Sequence, residues 1–195
     1  MRKLALSITM IFLAVALTAC GTRTVSGSYL REEVDFAFLQ RIAVLPFENN
    51  SSDLTAPGRA RDLAITQVLA MGLYDTVEKS LVDNILYEEA IDPEAPIDTL
   101  ALKRIGQRLK VQAFLLGTVD LAGESKIGTA VYSEMALTLR LIEANSGLIL
   151  WQASGSYSGE SLGVRLFGMK PTDRFHVALN LVRALLKTAP SGGFE

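Results

Sequence analysis

One thiol, Cys20, and one imidazole, His176, stand alone of their kinds in a chain of 195 residues. A disulfide needs a second cysteine, and a zinc-type centre needs several Cys or His ligands, so neither is expected. His176 opens an apolar-striped segment and reads as a solvated or structural side chain. The stretch Gly155-Ser156-Tyr157-Ser158-Gly159 has the outline of a nucleophile elbow, but Tyr157 occupies the position that acyl transfer requires to be serine. Gly155, Gly159, Gly163 and Gly168 lack the strand-to-helix spacing of a phosphate cradle and read instead as a mobile loop. Glu32 with Glu33 and Glu88 with Glu89 are adjacent, and adjacent side chains on a helix diverge, so these are read as solvated charges. No catalytic residue, cofactor or metal ligand is assigned, and the chain reads as a non-enzyme. A hydrolase would need an acid–base pair assembled from distant positions.

The chemistry that remains is at Cys20, and its setting decides it. Arg2 and Lys3 precede an apolar run from Leu4 to Leu17, broken by Ser7 and Thr9, and small Ala19 stands before the thiol. A cationic start, a short apolar core and a small residue at the end form an export signal. The run is too short to span a bilayer comfortably, which takes roughly 20 helical residues. Leu17-Thr18-Ala19-Cys20 resembles the lipobox of bacterial lipoproteins, and that resemblance implies cleavage before Cys20 and attachment to its thiol of a diacylglyceryl group carrying chains such as palmitate. Each buried methylene contributes about 0.8 kcal/mol, so one chain anchors marginally and two or more hold firmly. Gly21 stands where an Asp would retain such a protein at the inner membrane, which implies the outer membrane, lipid-anchored and facing the periplasm.

Cleavage removes two cations, taking the formal charge from −2 to about −4. No Lys/Arg-rich face offers phosphate neutralisation, so nucleic acid is not an expected partner. About 176 residues remain, enough for one domain. The expected organisation is a signal peptide over 1–19, a lipidated N-terminus and tether over 20–40, flexible at first and pinned later by Phe36, Phe38 and Leu39, a single domain over 41–188 and a flexible tail over 189–195.

Hydrophobic periodicity fills in that domain. Ile42 to Leu45 reads as a buried strand running into a loop at Pro46. Asn49 and Asn50 match glycosylation sequons, to which no function is assigned behind a bacterial signal. Gly58 to Gly72 reads as a helix burying Ala60, Leu63, Ala64, Val68 and Met71, with Ile65 and Leu69 widening the stripe. "LYDTVEK" reads as a strand, Ser80-x-x-Asp83 as a capping box for a helix to about Glu89, and Thr99 to Lys110 as a third helix. "VQAFLLGTVDL" is apolar enough for a central strand covered on both faces. Met135, Leu137, Leu139 and Leu141 alternate, and Asn145-Ser146-Gly147 joins their strand to "LILWQASGSY" as a hairpin with Gly147 left-handed. Trp151 reads as core packing, with an exposed contact residue as the alternative. After a Ser/Gly-rich passage from Ser154 to Gly168, a last helix near Thr172 carries a stripe of Phe175, Ala178, Leu179, Val182, Leu185 and Leu186. The order predicts an α/β domain, a mixed β-sheet flanked by helices.

"IAVLPFENNS", "AFLLGTVDL" and "LRLIEANSGLILW" behind a lipobox resemble the α/β domain of periplasmic lipoproteins related to the curli secretion protein CsgG, with LpoB-like and TolB N-terminal-like domains more distant. The resemblance spans residues 41 to 157, extending to 188. It implies that the protein acts by binding or assembly: a non-catalytic outer-membrane lipoprotein of envelope assembly or export, either a homo-oligomer or bound to an envelope protein. The alternative it implies is a regulator that binds and activates a peptidoglycan synthase. A secretion pore is not expected, because "AGESKIGTAVYS" is too short and polar for a membrane-spanning strand pair and "GSYSGESLGVRLFG" is a weak candidate. Leu162, Val164, Leu166 and Phe167 are the candidate interface, with folding back onto the core as the equal alternative.

Overall fold

The computed structural model describes residues 25–92, 97–127, 130–160 and 170–192. Cys20 lies outside them, as do Leu162, Val164, Leu166 and Phe167. The described residues form a seven-stranded mixed sheet with four α-helices. The strands are β1 (Val25–Leu30), β2 (Arg41–Val44), β3 (Glu48–Asn49), β4 (Asp75–Thr76), β5 (Ala113–Ile127), β6 (Ala130–Glu143) and β7 (Ile149–Ser158). The helices are α1 (Ala56–Ala70), α2 (Lys79–Glu88), α3 (Thr99–Leu109) and α4 (Arg174–Leu186). Sheet order is β1-β7-β6-β5-β2-β4, with β3 also pairing β5. The β5, β6, β7 and β1 neighbours are antiparallel, whereas β2 and β3 run parallel to β5 and β4 parallel to β2.

The alternation in β6 sets its register. Met135, Leu137, Leu139 and Leu141 share one face and enter a core with α1 and α4, to which Val119, Trp151, Ala153, Val177, Leu181 and Leu185 also belong. A one-residue slip would turn all four outward, so burial holds the pairing. On the other face, Ala43, Leu45 and Phe114 form a smaller core with α2 and α3. The hairpin turn is as expected: Gly147 has φ +70°, and its N–H donates to the Glu143 carbonyl at 2.9 Å. Trp151 is buried and its indole N–H donates to Thr188 Oγ1 at 3.2 Å.

The glycine of "LLGTV" has a packing reason. A Cβ on Gly117 would lie 2.6 Å from the ring of Phe47, which is itself 7% exposed. The Pro-Phe and Gly-x-Val motifs, 70 residues apart in sequence, therefore meet in one contact.

Several expectations are corrected. Val25–Leu30, read as tether, is the edge strand of the sheet, hydrogen-bonded to β7. Phe36–Phe38 forms a short 3-10 turn capped by Asp35. β5 and β6 extend as a ladder to Ile127 and Ala130, because the polar "GESK" stretch continues the pairing. Ser154–Tyr157, read both as the end of the "LILWQASGSY" strand and as the start of a Ser/Gly-rich loop, is strand, and β7 runs to Ser158. Glu78, not Ser80, caps α2, accepting from the Leu81 N–H at 3.1 Å. Leu69 is half-exposed and Phe175 is 57% exposed; Val177 and Leu181 take the burial assigned to Phe175 and Leu179. Residues 189–192, read as free tail, are held down: Gly192 N–H donates to the Leu73 carbonyl at 3.2 Å, and the Tyr74 hydroxyl donates to the Pro190 carbonyl. Burial pushes the pKa of that hydroxyl up.

Candidate interaction surfaces

The residues singled out in the sequence are dispersed. His176 is exposed in the first turn of α4, with its backbone N–H donating to the capping Asp173 at 3.0 Å and Nδ1 at 2.8 Å from the same carboxylate. That cap holds Asp173 below the ordinary carboxylate pKa, so the histidine serves the helix end. Tyr157 lies in β7, where its hydroxyl accepts from Asn180 Nδ2 at 3.3 Å. Glu88 and Glu89 are not merely solvated: Arg108 pairs with both, and Arg104 Nε donates to Glu89 at 3.2 Å, fastening α2 to α3. The Arg108 and Arg104 hydrogen bonds hold Glu89 below its usual pKa. Among the described residues no group of three or more His, Cys, Asp or Glu is placed to hold a metal, and no helix is long and apolar enough to cross a membrane.

Three surfaces remain. The first is the face of the sheet that α2 and α3 leave uncovered. Tyr29, Gln152 and Arg140 occupy one row, which Leu116 continues, and Ser154, Thr138 and the buried Thr118 form the next, so the face is mostly polar. Thr138 Oγ1 donates to Asp120 at 2.9 Å and lies 3.0 Å from Ser154 Oγ, while Thr118 donates to Glu48 at 2.9 Å.

The second is an open groove of about 800 Å³ beyond the C-terminal end of β2, lined by residues 46–51, Leu54, Pro57, Gly58, Arg61 and Lys79. Its polar wall holds a cation the sequence did not flag. Arg61 is 4% exposed; its Nε and Nη2 donate to the Val44 carbonyl at 3.1 and 2.9 Å, and Nη1 lies 2.7 Å from Asp83. These partners use the fork of the guanidinium in binding β2 and α2, so Arg61 is a structural clamp. The stripe at Ala60 and Ala64 placed its neighbour at the rim, with no local signal that a carbonyl waited there.

The third surface is the end of the molecule toward which the N-terminal end of β1 points. It gathers the start of β1, the free end of the β5–β6 hairpin and the N-termini of α1 and α4. Arg174 bridges Asp53, at 3.5 Å, and Glu124, at 3.1 Å. Asp53 also accepts from Arg59 at 2.6 Å, from Thr55 Oγ1 at 2.7 Å and from the Thr55 N–H at 2.9 Å. The Arg59 hydrogen bond first, then those of Thr55, hold its carboxyl far below the usual range. The bracing ties loop, helix and hairpin together.

No protein-family model matches the chain, and no curated protein sequence matches it. Solved structures do. PelC from Paraburkholderia phytofirmans, a dodecamer, matches at TM-score 0.57 and 18% identity over 84% of this chain and 94% of its own. Lipoprotein GNA1162 from Neisseria meningitidis matches at 0.57 and 18%, over 77% and 99%. The LpoB C-terminal domain from Salmonella enterica matches more loosely, at 0.48 and 13%, over 64% and 85%. What is shared is a fold. The likeness to PelC and GNA1162 covers nearly the whole of each.

Proposed function

We propose that the protein is an envelope lipoprotein, anchored through acylated Cys20 to the periplasmic face of the outer membrane, that works without chemistry of its own by self-association or by binding an envelope protein in assembly or export. The observation that carries this reading is the fold shared over 84% of the chain with a protein solved as a dodecamer. The apolar leader ending at Cys20 and the same fold in a solved lipoprotein support it. The uncovered polar sheet face and the groove at residues 46–51 offer surfaces for protein partners, and Leu162, Val164, Leu166 and Phe167 remain the proposed interface outside the described residues.

The test is made on protein extracted from membranes. Intact mass should show a chain beginning at Cys20 with added acyl groups, and Cys20→Ala should lose both processing and lipid. Light scattering in detergent should show a discrete oligomer, or cross-linking should capture an envelope protein. Capture of a cell-wall synthase would assign the regulatory role. A lipid-free chain that is monomeric at every concentration and cross-links to nothing would overturn the proposal.

A further inference from the structure

We propose that the free end of the β5–β6 hairpin rests on the same bilayer that holds Cys20, with Lys126, Val131 and Tyr132 at the level of the lipid headgroups. This rests on the lipid-anchor reading above and adds an orientation to it.

The argument begins with the length of the leash. β1 is antiparallel to β7, and Val25 stands opposite Gly155, which in turn pairs with Leu137 of β6. β1 therefore runs away from the hairpin end, and the chain before Val25 leaves its strand pointing toward that end. Cys20 is five residues back, so its Cα, which sits at the headgroup level when the lipid is inserted, lies within about 18 Å of Val25 even when the segment is fully extended, at roughly 3.6 Å per residue. From the Leu137 row the β5–β6 ladder continues seven further residues to Ala130. At about 3.3 Å each that is roughly 23 Å in the same direction. With the strands upright, the hairpin reaches farther than the leash, and it meets the bilayer before the leash is taut.

The composition of that end suits the contact. Val131 is 49% exposed and stands directly across the ladder from exposed Lys126; Tyr132 follows, half-buried. A lysine can lay its methylenes on apolar surface while its ammonium stays among headgroups, and tyrosine carries a polar tip on an apolar ring. Phe175, 57% exposed, lies at the same end, next to the Arg174 that binds the hairpin through Glu124. The hairpin does not cross: beyond Glu134, the last residue paired to β7, only four residues of β6 project, or about 13 Å against a hydrocarbon core of about 30 Å. It is a shallow foot that fixes the tilt of the domain and turns the Ala144–Leu148 end toward the periplasm.

The experiment uses the full acylated protein in vesicles of phosphatidylethanolamine and phosphatidylglycerol. The Cys20 sulfur, being a thioether, leaves an introduced thiol as the sole labelling site. Val131→Cys, Lys126→Cys, Leu148→Cys and Tyr29→Cys are each given an environment-sensitive fluorophore, after circular dichroism shows the parent fold. Spin-labelled headgroups should quench most of the fluorescence at 131 and at 126 and leave 148 unquenched. If 131 and 126 are as accessible to water as 148, the foot does not exist; if 29 is quenched and 131 is not, the β1 edge lies on the bilayer instead. Intact mass separates the two proposals: missing acyl groups overturn the anchor and this orientation with it, whereas an acylated protein with an unquenched hairpin overturns the orientation alone.

Discussion

The two faces of the sheet are built from the same strands, yet they hold together by different means. On the α1/α4 face the apolar row of β6 continues to Val119 of β5 on one side and to Trp151 and Ala153 of β7 on the other, and two helices cover it. On the opposite face the apolar rows stop at Leu116 and Ile142, the limit of the core under α2 and α3, and Arg140, Thr138, Gln152 and Ser154 take over. Burial drives the first face and the part of the second that α2 and α3 cover, whereas the rest of the second is a polar lattice whose hydrogen bonds replace ones that water would supply. Net stabilisation per hydrogen bond is small, about 1 kcal/mol, while burying a leucine side chain contributes about 2–3 kcal/mol. The covered parts of the sheet therefore carry the stability, and the open part is free to serve contacts.

The strongest way to break that comparison is a neighbouring pair in β6. Leu139→Ala, on the closed face, is expected to cost about 2–5 kcal/mol, and Thr138→Ala, on the open face, about 1 kcal/mol or less. Urea denaturation followed by circular dichroism measures both, and equal costs would refute the division. Next in size is the turn that joins β6 to β7 and so sets both faces. Gly147→Val should cost about 1 kcal/mol or more, since a β-branched residue is strained at φ +70°. Its Cβ would also come within 3.2 Å of Thr99 Oγ1. A melting temperature equal to the parent's would remove the case for that turn.

The smallest effect sharpens the comparison at the hairpin end, where Asp53 bonds Arg59, Thr55 and Arg174. Its pKa is lowered in the folded state, so its contribution is fully present above the unfolded carboxylate value of about 4 and is lost as pH falls below that. Parent stability should therefore drop more steeply than that of Asp53→Asn between pH 4 and pH 2. Parallel pH profiles would show that the Asp53 contacts are too solvated to count.

Much of the domain was legible because period alone encodes it. The β6 alternation, the Asn145-Ser146-Gly147 turn and the Ala60, Ala64 and Val68 stripe each depend on neighbours within one or two turns of chain, and each stands where it was read. The candidate surfaces were less legible. Nothing local marks Arg61 as the partner of Val44 and Asp83, nor Arg174 as the link between Asp53 and Glu124. Phe175 misled for the same reason: it falls on the apolar stripe, but α4 presents Val177 and Leu181 to the sheet instead.

By itself the sequence determined the α/β class, the hairpin and the face that β6 buries, since side-chain periods of 2 and 3.6 are properties of the chain alone. Only tertiary structure decided that residues 25–30 join the sheet as an edge strand, that Phe47 closes over Gly117, and that "GESK" stays paired in a long hairpin. Each of these depends on a partner strand or side chain brought in by folding. A polar segment has no periodicity of its own to announce where the backbone hydrogen bonds will go.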